Sequence, residues 1–176
     1  MPAFNLRDAV SDRDFSSADL GGKPALVAFI CNHCPYVQHL REGLARIGRL
    51  CRERGVGMVA INSNDIATYP QDGPGPMAEE ARERGYEFPY LFDESQAVAK
   101  AFRAACTPDF YLFDAGGKLA YRGQFDDSRP GSGKPVTGRD LEQAIDAVVS
   151  GRAPSPDQRP SIGCSIKWKA GNAPGY

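Results

Sequence analysis

The run PALVAFI at residues 24–30 passes directly into CNHCPYV at 31–37. A short, unbroken apolar run that stops at polar residues is the pattern of a strand buried on both faces, and such a strand needs layers packed above and below it. The next segment has helical spacing. Pro35 suits a first helical turn, Val37, Leu40, Leu44, Ile47 and Leu50 recur on one face, and Gly55 stands where a C-terminal cap belongs. A second apolar run, VGMVAIN at 56–62, completes a strand–helix–strand unit, which predicts a right-handed parallel crossover.

Further along, DIATYPQDGPGPM at 65–77 is too dense in proline and glycine for regular structure and predicts a surface loop, an insertion near a functional face. MAEEARERGY and SQAVAKAFRAA predict two helices flanking the short strand-like segment FPYLFDE. DFYLFDAGGKLAYRG at 109–123 predicts a hairpin turning at Gly116-Gly117. RDLEQAIDAVVS predicts a last helix with Leu141, Ile145, Val148 and Val149 on its apolar face, ended by Gly151. The expected domain is therefore residues 1–151, a three-layer α/β arrangement. Residues 152–176, rich in proline and glycine, form a tail that is either disordered or laid over the surface; Trp168 and Cys164 weigh against a purely floppy one.

At 176 residues with 41% apolar content, one core is the expectation. Lys and Arg number 21 against 22 Asp and Glu, a net charge of −1, so no field along the chain favours nucleic acid or an anionic membrane, and the Lys167-Trp168-Lys169 cluster is too short to change that. The charged amino terminus lacks a secretory pattern and no apolar run approaches a membrane span, which leads to the expectation of a cytoplasmic protein. Five cysteines in such a compartment point to chemistry, metal or packing rather than disulfide staples.

Cys31 and Cys34 fall where strand gives way to helix. Unpaired amides at a helix N-terminus favour an anion, and together with a cationic neighbour they lower a thiol from about 8.5 to roughly 3.5–7.5. On this reading the Cys31 sulfur lies at or just before the helix and is the nucleophile. Cys34, one turn in, resolves the mixed disulfide, and His33 between them tunes the pair by carrying positive charge. Half of a zinc site is the competing reading; it would need two more ligands, for which His39 and Cys51 are the only nearby candidates, and a metal-binding module of Cys31, Cys34 and His39 is the related alternative. No cofactor and no resident metal are expected. Cys106 reads as packing ahead of an auxiliary thiol, Cys164 as a possible second resolving thiol, and His39 as a solvated helix residue.

The motifs FNL, LGGKPALVAFICNHCPYV, TPDFYLFD and GGKLAYRG resemble the thioredoxin-fold redoxin superfamily over residues 3–151, in the branch uniting peroxiredoxin-like proteins with thiol-disulfide oxidoreductases. CNHCPYV, CTPDFYLFD and the tail motif GCSIKWK are similar to a subgroup of bacterial peroxiredoxin-like proteins. The resemblance implies a thioredoxin-like fold with a central mixed sheet, an N-terminal extension and an inserted strand–helix region. It also implies a cis proline at Pro108, preceded by Thr107, facing the cysteine pair and leaving backbone free to pair with an extended substrate. Two departures stand out. Ala25 replaces the buried acid of thioredoxins proper. The peroxiredoxin pattern P-x-x-x-T-x-x-C aligns its reactive cysteine with Cys34, but Val27 and Cys31 stand in place of the proline and threonine. The expected activity is thiol-disulfide exchange on a protein or small-molecule disulfide, with a thioredoxin or glutathione system as electron donor; thiol-dependent peroxide reduction is the alternative.

Overall fold

The computed structural model describes residues 1–176. The chain runs β1 (Asn5–Asp8), β2 (Asp14–Ser16), β3 (Ala25–Phe29), α1 (Pro35–Glu53), β4 (Gly57–Asn62), α2 (Pro74–Arg84), β5 (Tyr90–Phe92), α3 (Ala97–Phe102), β6 (Cys106–Thr107), β7 (Asp109–Phe113), β8 (Leu119–Gly123), α4 (Arg139–Val149) and β9 (Cys164–Ser165). Seven strands form one mixed sheet in the order β2-β1-β5-β4-β3-β7-β8. β3 pairs in parallel with β4 and antiparallel with β7, so it lies inside the sheet, and every residue of it is buried.

Strand alternation explains why both faces of β3 are apolar. Leu26, Ala28 and Ile30 face a core shared with Leu40, Leu44 and Ile47 of α1, Met77 and Ala81 of α2, and Leu141 and Ile145 of α4. Ala25, Val27 and Phe29 face the opposite core, built around Phe102 of α3. There the rings of Phe29, Tyr111 and Phe113 meet Phe102 edge-on with centroids 5.4, 5.4 and 6.0 Å away, a geometry that matches ring edges to ring faces. This is a thioredoxin-like three-layer fold.

The parallel β3–β4 pair and the β7–β8 hairpin match the sequence reading. The N-terminal residues, expected only as an extension, form a hairpin that extends the sheet through β5. The proline-rich run 65–77 is not loop throughout: Pro70–Asp72 makes a tight helical turn and Pro74 opens α2, because a proline at the first helical position forfeits only an amide that lacks a partner anyway. Val149, expected on the buried face of α4, is 38% exposed. No helix is long and apolar enough to cross a membrane.

The tail is laid over the surface. Its backbone follows β8, with Arg159 O accepting from Gln124 N at 2.8 Å and Ser161 Oγ donating to Gly123 O at 2.7 Å. It then pairs β9 antiparallel with β6, setting Cys164 opposite Thr107 and Ser165 opposite Cys106. Ile166 is buried in the α3-side core.

Candidate active site

All five cysteines are free thiols. α1 begins at Pro35, so Cys34 is its N-cap residue and Cys31 lies three residues before that cap. This corrects the expectation that Cys31 sits at the helix start with Cys34 one turn inside. The reason is local: the proline takes the first helical position, which hands the cap to the residue before it. The cysteine at the helix start is therefore Cys34, not Cys31.

Both cysteines are buried, Cys31 at 1% and Cys34 at 0% exposure. Thr107 touches both. Its hydroxyl lies 3.4 Å from Cys31 Sγ, and its carbonyl accepts from the Cys34 thiol at 3.2 Å. The Thr107-Pro108 bond is cis, as the resemblance implied, and Pro108 directly precedes β7.

The electrostatics separate the two sulfurs. A hydrogen bond from Cys31 is the largest influence lowering Cys34; the Cys164 thiol and the Val37 and Cys164 amides add to it, and together they overcome burial to bring Cys34 down to about 4. Cys31 moves the other way, raised well above an ordinary thiol by its hydrogen bond to Cys34, by burial and by the negative charge of Asp72. The largest influence on both is their mutual interaction, which favours one shared proton; the amides near Cys34 and the Asp72 carboxylate near Cys31 add to the separation.

This asymmetry carries a pH dependence. The Cys34 value in the fold lies below the ordinary thiol value of 9, so its contribution to stability is complete above pH 9 and disappears as pH falls through about 4. The stability difference between the reduced protein and Cys34→Ser is expected to widen with rising pH across that window, at up to about 1.4 kcal/mol per pH unit. Urea unfolding at several pH values measures it. Thiolate ultraviolet absorbance that is missing at neutral pH in the wild type would contradict it.

His33 lies against Asp72 as well as beside the thiols. Its Nδ1 is 2.5 Å from Asp72 Oδ2, and its ring stacks on Tyr69 with centroids 4.9 Å apart and planes 9° from parallel. Asp72 is fully buried and organises the approach to α1: Oδ1 accepts from the Asn32 and His33 amides at 2.8 and 3.1 Å, and Oδ2 also accepts from Asn64 Nδ2 at 2.9 Å. Cys31 Sγ, a ring nitrogen of His33 and a carboxylate oxygen of Asp72 lie within 4.8 Å of one another. These three, rather than Cys31, Cys34 and His39, are the potential metal ligands that the fold gathers. They equally form a thiol, base and orienting-acid arrangement.

His39 reaches across to Ser128 Oγ at 3.0 Å, so it is a half-buried tether of the 126–130 loop and not a solvated residue. Cys106 is held as the thiol, pushed up to about 12 by burial and by Asp109, and its sulfur donates to Pro108 O at 3.5 Å. Cys51, near the end of α1, lies in the core and is pushed up to about 12 by burial. Cys164, half-buried on β9, packs against the cluster that contains Cys31 and Cys34. Asp72, Asn64 and Tyr69 escaped the sequence reading; the one trace of Asp72 and Tyr69 was the proline-rich segment that contains them.

A protein-family model, described as the AhpC/TSA family, matches residues 1–122. The chain belongs to the AhpC/TSA family. Among solved structures, this AhpC/TSA member is similar to an uncharacterized conserved protein from Geobacillus kaustophilus, at 50% identity over 96% of this chain and 89% of that one, with a TM-score of 0.93. It is similar also to a hypothetical protein from Sinorhizobium meliloti 1021, at 49% identity over 97% and 93% of the two chains and a TM-score of 0.94. A secreted disulfide oxidoreductase of Mycobacterium tuberculosis shares the fold, at 19% identity over 82% and 95% of the chains and a TM-score of 0.65. No match was found among curated proteins. Family and fold place the chain among thioredoxin-like oxidoreductases of the redoxin superfamily.

Proposed function

We propose that the protein is a thiol-disulfide oxidoreductase in which Cys34 attacks and Cys31 resolves, the reverse of the order read from the sequence. The observation that carries this is the pair of buried sulfurs that Thr107 bridges at the start of α1, with Cys34 at the helix cap beside cis-Pro108 and lowered relative to an ordinary thiol. The Cys34 thiolate attacks one sulfur of a substrate disulfide, forming a mixed disulfide and expelling the other substrate sulfur as a thiolate. Once the Cys34 charge is consumed, the largest influence raising Cys31 is gone. Cys31 then gives up its proton, with His33 and Asp72 within reach, and attacks Cys34. The second substrate thiolate leaves, and the two electrons of the dithiol have passed to the substrate. An external thiol donor, of thioredoxin or glutathione type, closes the cycle by reducing the Cys31–Cys34 disulfide.

Thr107 holds both sulfurs beside cis-Pro108, its hydroxyl 3.4 Å from Cys31 Sγ and its carbonyl oxygen 3.2 Å from Cys34 Sγ. Beside cis-Pro108 a small recess of about 20 Å³, bounded in part by Tyr36, Phe110, Phe125 and Ile162, has space for a group the size of a water molecule.

Burial of both sulfurs favours a second reading, peroxide reduction, since a small oxidant reaches them more easily than a folded substrate does. There the Cys34 thiolate takes one peroxide oxygen as sulfenic acid and water leaves; Cys31 then forms the disulfide and releases a second water. Stoichiometric, stopped-flow oxidation of the fully reduced protein by a disulfide-bonded peptide and by hydrogen peroxide separates the two. Disulfide exchange faster than that of an ordinary thiol at neutral pH is the expected result, and it must come from positioning of the pair, because the weaker nucleophilicity of a low-pKa thiolate offsets the gain from full ionisation. Peroxide consumption exceeding that of a free thiol, with disulfide exchange at the free-thiol rate, would move the assignment to a peroxidase.

A further inference from the structure

The backbone beside a cis proline facing a dithiol is where an extended substrate is expected to add as a strand. In this protein that edge is occupied by its own tail. β9 pairs with β6 so that Cys164 stands opposite Thr107, whose carbonyl also meets Cys34 Sγ. The approach is close enough that Gly163 has no room for a side chain: an added Cβ would lie 2.0 Å from Thr107 O and 2.6 Å from Thr107 C. Downstream the strand is anchored. Ile166 is 3% exposed, Lys167 N donates to Asn64 Oδ1 at 2.9 Å, and Lys167 O accepts from Asp65 N at 2.8 Å and from Gln96 Nε2 at 2.9 Å. Asn64 in turn donates to Asp72, and Lys167 Nζ lies over the Tyr69 ring that stacks on His33, so the tail and the cysteine loop share one polar network.

We propose that Cys164 is a third redox thiol: β9 docks as an internal substrate beside Pro108, and Cys164 forms a disulfide with Cys34 that connects the buried pair to solvent. The proposal rests on Cys34 as the reacting sulfur. Starting from a Cys34–SR adduct, Cys164 loses its proton, attacks Cys34 Sγ and expels RS⁻, which takes up that proton; the Cys34–Cys164 bond replaces the Cys34–SR bond with no net change in oxidation state. An external thiol then attacks Cys164, the sulfur nearer solvent, and Cys34 leaves as its favoured thiolate. A second donor thiol completes the transfer, so the donor is oxidised to its disulfide and Cys164 is returned reduced. Of the three sulfurs only Cys164 lies on a partly exposed residue, while Cys31 and Cys34 are buried.

The test uses the full chain and oxidised glutathione as the probe. Reduced Cys31→Ser protein is mixed with one equivalent of oxidised glutathione, quenched by acid, alkylated and mapped by mass spectrometry. The expected product is an internal disulfide joining the peptides that carry Cys34 and Cys164, with both glutathiones released. Cys31→Ser/Cys164→Ser should instead hold glutathione on Cys34. In the Cys31→Ser background, Gly163→Ala should slow closure about tenfold or more, because alignment rather than composition sets the effective concentration of the thiol. A glutathione adduct on Cys34 that persists equally with and without Cys164 overturns the proposal and leaves the Cys34 assignment standing. Absence of any reaction at Cys34 in both variants overturns both, and an unchanged rate in Gly163→Ala overturns delivery by the docked strand.

Discussion

Replacing Cys34 with serine is expected to lower disulfide-reducing turnover by on the order of 10³-fold or more, since on the proposed order it removes the attacking sulfur, the one whose surroundings favour a thiolate. Cys31→Ser should behave differently. The first step survives, slowed modestly because a serine hydroxyl replaces the thiol that donates to Cys34. In a Cys164→Ser background, where no third thiol intervenes, the protein should stop after one event with substrate bound through Cys34. Counting thiol released in a single turnover, then locating the adduct by mass spectrometry, separates the two roles. An adduct trapped on Cys31 in Cys34→Ser, with no first step in Cys31→Ser, would restore the order that the sequence suggested. The contrast is informative because both substitutions change one buried atom at neighbouring sites and differ chiefly in which electrostatic environment loses its sulfur.

Asp72→Ala is expected to destabilise the reduced protein by about 3–5 kcal/mol, the range for leaving buried partners of an ionised group unpaired. Four donors lose their acceptor at once: two backbone amides of the cysteine loop, the His33 ring and the Asn64 side chain. Asp72→Asn keeps an acceptor for the amides, but its NH2 group meets the Asn64 NH2 group, so a loss of roughly 1–2 kcal/mol is expected. Urea denaturation of the three reduced proteins gives the comparison. A cost under about 1 kcal/mol for alanine would mean that water enters and replaces the carboxylate, and that Asp72 does not organise the loop. Removing its charge also removes one cause of the raised Cys31 value, so Asp72→Asn should lower the Cys31 pKa while the amides and Cys31 continue to favour a Cys34 thiolate.

The strand–helix–strand unit was readable because β3 is buried on both faces, and a residue that must be apolar in either direction leaves an unbroken apolar run. The β7–β8 hairpin was readable from Gly116-Gly117, where Gly117 has a φ of +77° that other residues rarely adopt. The α1 register followed from Leu40, Leu44 and Ile47 recurring on one face, all buried. Less legible was the short hairpin of β1 and β2, whose half-exposed residues carry no sustained period and whose pairing to β5 spans some eighty residues of chain. Which cysteine caps α1 turned on where the helix starts, and a shift of a few residues in that boundary exchanges the residue at the cap.

Taken alone, the sequence determined the layer architecture, the pairing of two thiols at a strand-to-helix junction and the presence of Pro108 nearby, because each rests on local periodicity, spacing or a recurrent motif. Tertiary structure set Cys34 at the cap of α1, brought the distant Asp72 into a buried network with His33, and laid Cys164 across the edge beside Thr107. Those outcomes depend on electrostatics and close approach between segments far apart in the chain, and residues interacting across such distances leave no shared period or spacing in the string that encodes them.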